Sequence, residues 1–383
     1  DMNISELSNS IDALTYSGIL TIDLDAIAEN YKTLANFVKP TKCAAVIKAD
    51  AYGLGASKIC QTLYESGCRF YFAAQLIEAL TLKKVLPSDA NIAVLNGIQT
   101  GTEKLAAEAR VIPVLNSWEA ICHWKSVCEE KSQRFPAIIQ IDTGMCRLGL
   151  DQDELEKLIA DPSIFKITNI ELIISHLALS DEPSSAANAS QLNRLQNALA
   201  KLPSCEVAIS ASGGIFLGNS FHLDMVRPGI ALYGVAPHDN ISSTLIKPVM
   251  TLDARVIQTR RVKAGSAVGY GGSFVTSRPS IITTISVGYA DGLHRSLGNK
   301  GSVFFNNHRL PIVGRISMDS ITIDATDLAD NAPKSGDLIE IIGKNQSLDD
   351  IARDANTIAY EILTSLGHRY KRIYLRNGKP IDC

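Results

Sequence analysis

The chain has 383 residues, with 37 lysines and arginines against 40 aspartates and glutamates, a formal net charge of −3. That length suits one large domain joined to a second, and a near balance of charge, without a basic block interleaved with aromatics, leaves nucleic acid no footprint. No apolar run approaches the ~18 to 20 residues of a membrane span, and the eight cysteines form no CxxC pair, which favours reduced thiols over a disulfide framework or a zinc site.

The N-terminal stretch lacks a basic region followed by an apolar core, so no leader is expected and the location expected is the cytoplasm. The seven histidines are scattered and no HExxH occurs, so no metal is expected. The short segment "LTIDL" (20–24) reads as a strand that belongs with the second domain. The spacing of "LDAIAENYKTLANFV" predicts a helix over 24–38. Eight apolar runs then follow: "AAVIKA" (44–49), "FYFAAQ" (70–75), "NIAVLNG" (91–97), "VIPVLN" (111–116), "AIIQIDTG" (137–144), "IELIISH" (170–176), "EVAISAS" (206–212) and "VRPGIALYG" (226–234). Amphipathic patterns lie between them, among them "ASKICQTLYESG", "TEKLAAEA", "SWEAICHWKSVCEEK" and "ASQLNRLQNALAKL". Continuous apolar strands alternating with helices imply a parallel sheet covered on its faces. Eight such units close naturally into a TIM-type α/β barrel. A doubly wound sheet is the alternative, but no nucleotide fingerprint accompanies it.

From about Leu245 the pattern changes to short strands with Gly and Asn turns, as in "SIITTISVGYADG" and "GSVFFNNHRLPIVGRISMDSITIDAT". Alternation in "SITIDAT" and "DARVIQTRRV" suits strands with one solvated face. One helix is expected over 349–367, before a closing strand "RYKRIYL" (369–375). The expected organisation is therefore a barrel over 1–240, its first few residues free to join the β domain, and a mainly β domain over 241–383.

Residues at the C-terminal ends of barrel strands face the active site. Lys48 ends the first strand, and burial there would lower its pKa and favour its amine as a nucleophile towards an aldehyde. Snorkelling, or pairing with Asp50, is the plainer reading of that lysine alone. The other strand ends add Arg147 in "DTGMCRLG", His176 in "SHLALSD", Ser212 in "SASGG", and Arg227, Gly229 and Ile230 in "VRPGI". A serine hydroxyl beside backbone N–H groups suits a phosphate monoester. Arginine offers planar two-point bonding to a carboxylate or a bond to a ring nitrogen. Each of these has a structural alternative; their convergence on one rim points to a site.

These segments, with "AVIKADAYGLGA", "IDTGMCRLG", "AVGYGGSF", "SVGYADG" and "GRISMD", closely resemble the alanine racemases, fold-type III enzymes that use pyridoxal phosphate, over nearly the whole chain. The resemblance implies a Schiff-base linkage at Lys48 and a phosphate held by Tyr52, Ser212, Gly229, Ile230 and Tyr360. It implies that Arg227 meets the pyridine nitrogen, that His176 lies against the ring, and that Arg147 and the N–H of Met318 receive the substrate carboxylate. Lys48 and Tyr270 would serve opposite faces of the substrate, since inversion needs proton transfer on both. The family's head-to-tail homodimers imply that Tyr270 and Met318 act from the partner chain. Asp181, Tyr289, Arg295, Arg315 and Tyr360 would line the entryway, with Leu179 narrowing its inner gate. The activity implied is interconversion of L- and D-alanine, supplying D-alanine for bacterial peptidoglycan.

The clearest departure from the family pattern is Gln140, seven residues before Arg147. Many members carry there a lysine whose carbamate faces the arginine; glutamine carries no charge. A chloride ion, or a nearby carboxylate, is expected in its stead beside Arg147. Rival functions are a pyridoxal-phosphate decarboxylase, a racemase of broader specificity, and a single-domain barrel that binds pyridoxal phosphate without catalysis. "AVGYGGSF" and "GRISMD" favour racemisation, and the second domain disfavours the last rival.

Overall fold

The computed structural model describes residues 3–381. They form two compact units, Ile27–Lys247 being one and the residues up to Ala26 together with those from Pro248 onward the other. The sequence boundary at 240 lies a few residues before this division. The opening segment joins the second unit because its strand Gly18–Asp23 pairs there.

In the first unit seven strands lie parallel in chain order: Ala45–Val46, Phe70–Ala73, Asn91–Val94, Ile112–Leu115, Pro136–Gln140, Asn169–Ile174 and Val207–Ala208. An eighth, Met225–Val226, runs parallel to Lys42–Cys43 just ahead of the first. Backbone bonds close the ring. The N–H groups of Ala44 and Val46 donate to the carbonyls of Val226 and Pro228, each at 2.9 Å, and those of Asp224 and Arg227 donate to Val207 and Ser210 at 3.0 and 2.8 Å. The strands are mostly apolar because both faces are covered; Ile112–Leu115 is buried at every position. The helices between them show one apolar stripe each. Trp118–Lys131 buries Ile121, Trp124, Val127 and Cys128, and is started by Ser117, whose hydroxyl accepts the N–H of Ala120.

Three of the expected strands are shorter than their apolar runs. The first ends at Val46, ahead of Lys48; the seventh ends at Ala208, and Ser212 opens the short helix Ser212–Ile215. The eighth ends at Val226, and Ile230–Tyr233 is a 3-10 turn. Hydrophobicity does not mark these ends, because buried apolar residues such as Ile47, Ile209 and Ile230 continue past them.

The spine of the second unit is the strand Met250–Val262. It pairs antiparallel with Gly18–Asp23, Ser280–Ile285 and Leu338–Ile342. Gly18–Asp23 also lies parallel to Tyr370–Arg376. The single helix expected over 349–367 is in fact two, Leu348–Asp354 and Ala359–Ser365, broken where Asn356 adopts a left-handed φ of 55°. Asparagine tolerates that region through local hydrogen bonding of its side chain. Among the described residues no helix is long and apolar enough to cross a membrane, and the seven described cysteines are all free thiols; Cys383 lies outside the described residues.

Candidate active site

Lys48 stands beyond the first barrel strand, at the head of a left-handed turn. Ala49, Asp50, Ala51 and Tyr52 all have φ between 52° and 55°. None is glycine, and each such residue costs roughly 1–2 kcal/mol, so the surroundings must hold the turn in place. The N–H of Ala51 donates to Ile47 at 3.0 Å and that of Gly53 to Ala49 at 2.8 Å. Asp50 faces away from Lys48 in its bonding: its carboxylate accepts the N–H of Ala56 at 2.7 Å, at the start of the helix Ala56–Glu65. The turn carries Tyr52 inward, where its ring stacks on Tyr233 with 4.6 Å between centroids. Tyr233 is fixed in turn, its hydroxyl donating to the carbonyl of Val46 at 2.6 Å.

Beside Tyr52 lies an arrangement suited to an anion. The hydroxyl oxygen of buried Ser212 accepts the N–H groups of Gly229 and Ala231 at 3.0 and 3.2 Å. With two donors on its lone pairs, the hydroxyl proton is left to point elsewhere. A Cβ at position 229 would come within 2.3 Å of the Tyr52 hydroxyl oxygen. Glycine is needed there for close approach, not for a positive φ.

Arg227 is 2% exposed. Its Nη2 donates to the carbonyl of Ser175 at 2.8 Å and approaches His176 Nδ1 at 3.4 Å. Its Nη1 is buried without a hydrogen-bond partner among the described residues. An orphaned charged donor is costly, and it is the structural observation that most directly calls for a ligand; a pyridine nitrogen is an acceptor of the right kind. Burial lowers Arg227 to about 10, which leaves it a cation at neutral pH. His176 is lowered to about 3 by burial and by the charges of Arg227, Arg147 and Lys48. It is therefore a neutral ring that accepts through Nδ1. Lys48 is lowered from its usual range by burial, with Arg147 acting the same way, Glu78 opposing and Arg227 adding a smaller push. A cation-rich rim with a depressed lysine is suited to capturing an aldehyde that bears a phosphate.

Arg147 sits on the loop after the fifth barrel strand. Asp142 shapes that loop: one carboxylate oxygen accepts the N–H groups of Gly144, Met145 and Cys146 at 2.9, 3.1 and 3.1 Å. Arg147 itself is exposed. Solvent reaches this guanidinium. Gln140, 6% exposed, lies beneath; the close pass of Gly149, where a Cβ would meet Gln140 Cγ at 3.0 Å, packs its stem. Buried Gln191 ties this loop to the next. Its amide donates to the Thr143 hydroxyl and to the His176 carbonyl at 3.1 and 2.9 Å, and its oxygen accepts the N–H of Ala178 at 2.9 Å. Asp181 is exposed and Leu179 half-buried on the same loop.

The remaining sequence candidates belong to the second unit. Tyr270, 72% exposed, caps a hairpin whose strands Ala267–Val268 and Phe274–Val275 pair antiparallel. Gly271, at φ 70°, leaves room for Arg315, whose guanidinium carbon would lie 3.0 Å from a Cβ there. Asn299 braces this tip, donating to the Ser273 hydroxyl at 3.1 Å and accepting the N–H of Gly314 at 2.6 Å. The loops bearing Tyr289 and Met318 are layered: the N–H groups of Tyr289 and Ala290 donate to the carbonyls of Ser317 and Met318, each at 3.0 Å. The N–H of Met318 finds no acceptor among the described residues. Arg369 locks the two loops together. It bonds both oxygens of buried Asp291 at 2.8 and 3.0 Å and pairs with Asp319 at 2.8 Å. Arg295 and Tyr360 are exposed.

Gln191, Arg369, Asp291 and Glu78 escape the sequence reading. Only Glu78 left a signal, three residues after Gln75, at the spacing that caps a helix start.

An amine, a hydroxyl whose proton is free to meet an anion and an orphaned guanidinium nitrogen on one barrel rim suit a barrel enzyme that works through a phosphorylated pyridine aldehyde. Residues 22–237 match the family described as "Alanine racemase, N-terminal domain", and residues 249–374 match "Alanine racemase, C-terminal domain". The chain belongs to the alanine racemase family. It is 50% identical over 374 residues to "Alanine racemase" of Brucella canis, covering 94% of each chain. It is also 50% identical over 378 residues to "Alanine racemase, catabolic" of Agrobacterium fabrum, covering 99% of this chain and 96% of that one. Among solved structures, alanine racemase from Bartonella henselae with covalently bound pyridoxal phosphate is 54% identical, with a TM-score of 0.92 over 94% of this chain and 99% of that one.

Proposed function

We propose that this family member inverts alanine by moving its Cα proton between Lys48 on one face and the partner subunit's Tyr270 on the other. The chain is a pyridoxal-phosphate-dependent racemase, and its D-alanine product serves peptidoglycan synthesis in the cytoplasm. The observation that carries the site assignment is the buried, partnerless Nη1 of Arg227 on the same rim as a depressed Lys48.

Lys48 would hold the cofactor, with Tyr52, Ser212, Gly229, Ile230 and Tyr360 around its phosphate. The Ser212 hydroxyl is preset for that role, because two N–H groups already occupy its lone pairs. Arg227 would donate Nη1 to the ring nitrogen while keeping its own proton, and His176 would lie against the ring as a neutral group. When bound, the cofactor supplies an electron sink for the pair left as the Cα proton departs. Lys48, already short of proton affinity through burial, is suited to take that proton near neutral pH. The tyrosine hydroxyl would deliver one to the opposite face.

The homodimer is part of the same reading. Tyr270 and Met318 are 72% and 52% exposed, unusual for an aromatic ring and a long apolar side chain unless another surface meets them. The N–H of Met318 and the guanidinium of Arg147 would take the alanine carboxylate. Arg295, Arg315, Tyr289, Tyr360 and Asp181 would line the approach, with Leu179 at its narrowest point. A chloride ion or a carboxylate beside Arg147 and Gln140 would supply the negative charge that glutamine lacks. Bromide soaking with anomalous diffraction tests the halide: a peak beside Arg147 is expected, and its absence with unchanged kinetics in chloride-free buffer removes the ion.

The deciding experiment is chiral analysis of L-alanine incubated with the protein and pyridoxal phosphate. Borohydride trapping should place the pyridoxyl group on Lys48. Failure to form D-alanine overturns the reading, and serine, lysine and arginine in parallel separate a broader racemase.

A further inference from the structure

We propose that Glu78 is a positioning residue for Lys48: its carboxylate spans from its own helix to the left-handed turn and fixes the peptide that follows the lysine. One oxygen, Oε1, accepts the N–H groups of Ala74 and Gln75 at 3.0 and 2.9 Å. This is helix capping at the start of Leu76–Lys83 and needs no further explanation. The other oxygen, Oε2, leaves that helix and accepts the N–H of Ala49 at 2.7 Å. Capping alone does not require this second bond.

Ala49 is the first residue of the left-handed run, with φ 53°. None of residues 49–52 is glycine, and the N–H groups of Ala51, Gly53 and Gly55 brace the turn from within, donating to Ile47, Ala49 and Asp50. The side chain of Asp50 braces its far end through Ala56. Glu78 anchors its near end at Ala49, one peptide after Lys48, as the bond from the N–H of Ile47 to the carbonyl of Phe72 does before it, and both partners come from a different βα unit. A charged acceptor also makes a shorter and stronger bond than a neutral one. The direction in which Lys48 leaves the backbone is therefore set by a carboxylate that is itself held by two N–H groups.

The same carboxylate acts on Lys48 against the cations Arg147 and Arg227, with His176 neutral. It opposes the fall in the lysine's proton affinity. Glu78 thus has two effects, one geometric and one electrostatic, and they can be separated.

The proposal rests on Lys48 being the cofactor lysine. The test uses the full chain stripped of cofactor with hydroxylamine. Lys48 is labelled with trinitrobenzenesulfonate across a pH series, its adduct located by peptide mass, and the rate of covalent capture of added pyridoxal phosphate is followed by borohydride trapping. Glu78→Gln retains an oxygen for the helix cap but sets an NH₂ or an empty site against Ala49. Glu78→Asp keeps the charge but is a methylene too short to bridge both. In Glu78→Gln the labelling midpoint should fall by about 0.5–1 pH unit, and by less in Glu78→Asp. Capture of the cofactor should slow roughly tenfold in both. A helix cap alone would move neither readout. Unchanged capture in either variant overturns the proposal whatever the midpoint does, and so does an unchanged midpoint in Glu78→Gln. Failure of both variants to fold also overturns it, by making Glu78 a determinant of the fold. A pyridoxyl adduct on some other lysine of the unaltered protein would instead overturn the assignment of Lys48.

Discussion

The barrel rim and the β unit carry their functional side chains in opposite ways. On the rim Arg227, Ser212 and Tyr52 are buried, and their hydrogen bonds or ring contacts run to backbone and neighbours within the same unit. In the β unit Tyr270, Met318, Tyr289 and Tyr360 are exposed by 72, 52, 42 and 42%. Rigidity there resides one layer below, in Asn299 under the hairpin tip and in the Asp291–Arg369–Asp319 lock under the loops. A cofactor site has to be preorganised, because every loose group costs ordering on binding. If the β-unit surface meets a second chain as proposed, it has to stay open until that chain arrives, so only its support is fixed.

The largest expected effect breaks this division of labour directly. Lys48→Ala and Tyr270→Phe should each lower racemisation by at least about 10²-fold. Mixing the two inactive proteins under subunit exchange should restore about a quarter of wild-type activity, since half the dimers are hybrids with one intact site of two. Proven hybrids with no activity would mean that Lys48 and Tyr270 act within one chain.

Smaller, and confined to the rim, is Gly229→Ala. The added Cβ has no room beside the Tyr52 hydroxyl, and overpacking of this kind costs about 1–3 kcal/mol. Cofactor affinity, read by fluorescence titration, should fall roughly 10- to 100-fold, with little change in far-UV circular dichroism. Wild-type affinity would mean that Tyr52 yields freely.

The pH dependence of stability should also separate the two units, with opposite signs. His176 has its folded pKa lowered to about 3 from a usual 6.5, first by burial and then by Arg227. Its contribution is complete above pH 6.5 and is lost as pH falls towards 3. Asp253 in the β unit is raised to about 7 from 3.8, by burial and then by Glu340, which faces it across the antiparallel register. Its contribution is present below pH 3.8 and is lost as pH rises through 7. Thermal unfolding should therefore show a shallower acid limb in His176→Phe. Asp253→Asn should be more stable than wild type at pH 8 but not at pH 4, by a few degrees at most. Identical pH profiles for wild type and Asp253→Asn would show that water reaches that carboxyl.

The sequence disclosed the barrel because its strands are buried on both faces and read as uninterrupted apolar runs. It disclosed Lys48 and Arg227 as candidates because a cation at the end of such a run needs a reason. It did not disclose how the chain leaves the first strand. Alanines at 49 and 51 carry no left-handed preference, and the contacts that hold the turn, from Glu78, Asp50 and the stacked Tyr233, come from residues distant in sequence or from its own loop. Arg147 shows the same limit from the other side: its loop is shaped by Asp142, and solvent access cannot be read from spacing. The split at Asn356 was legible in principle, as an asparagine inside a helical pattern, but apolar periodicity on both sides masked it.

The strand Gly18–Asp23 lies between Met250–Val262 and Tyr370–Arg376, which has a consequence for the order of synthesis. A ribosome releases residues 27–247 as one uninterrupted stretch, so the barrel can complete its hydrogen bonding while translation continues. The β sheet cannot, because one neighbour of the strand Gly18–Asp23 lies more than 340 residues further along the chain. That strand must wait with both edges open until Met250–Val262 is made, and then with one edge open until Tyr370–Arg376 follows. A circular permutant that begins at Pro248 and links the old ends would make Gly18–Asp23 directly after Tyr370–Arg376. Its β unit should then assemble before the barrel, and its yield in a chaperone-poor translation system should exceed that of the natural order.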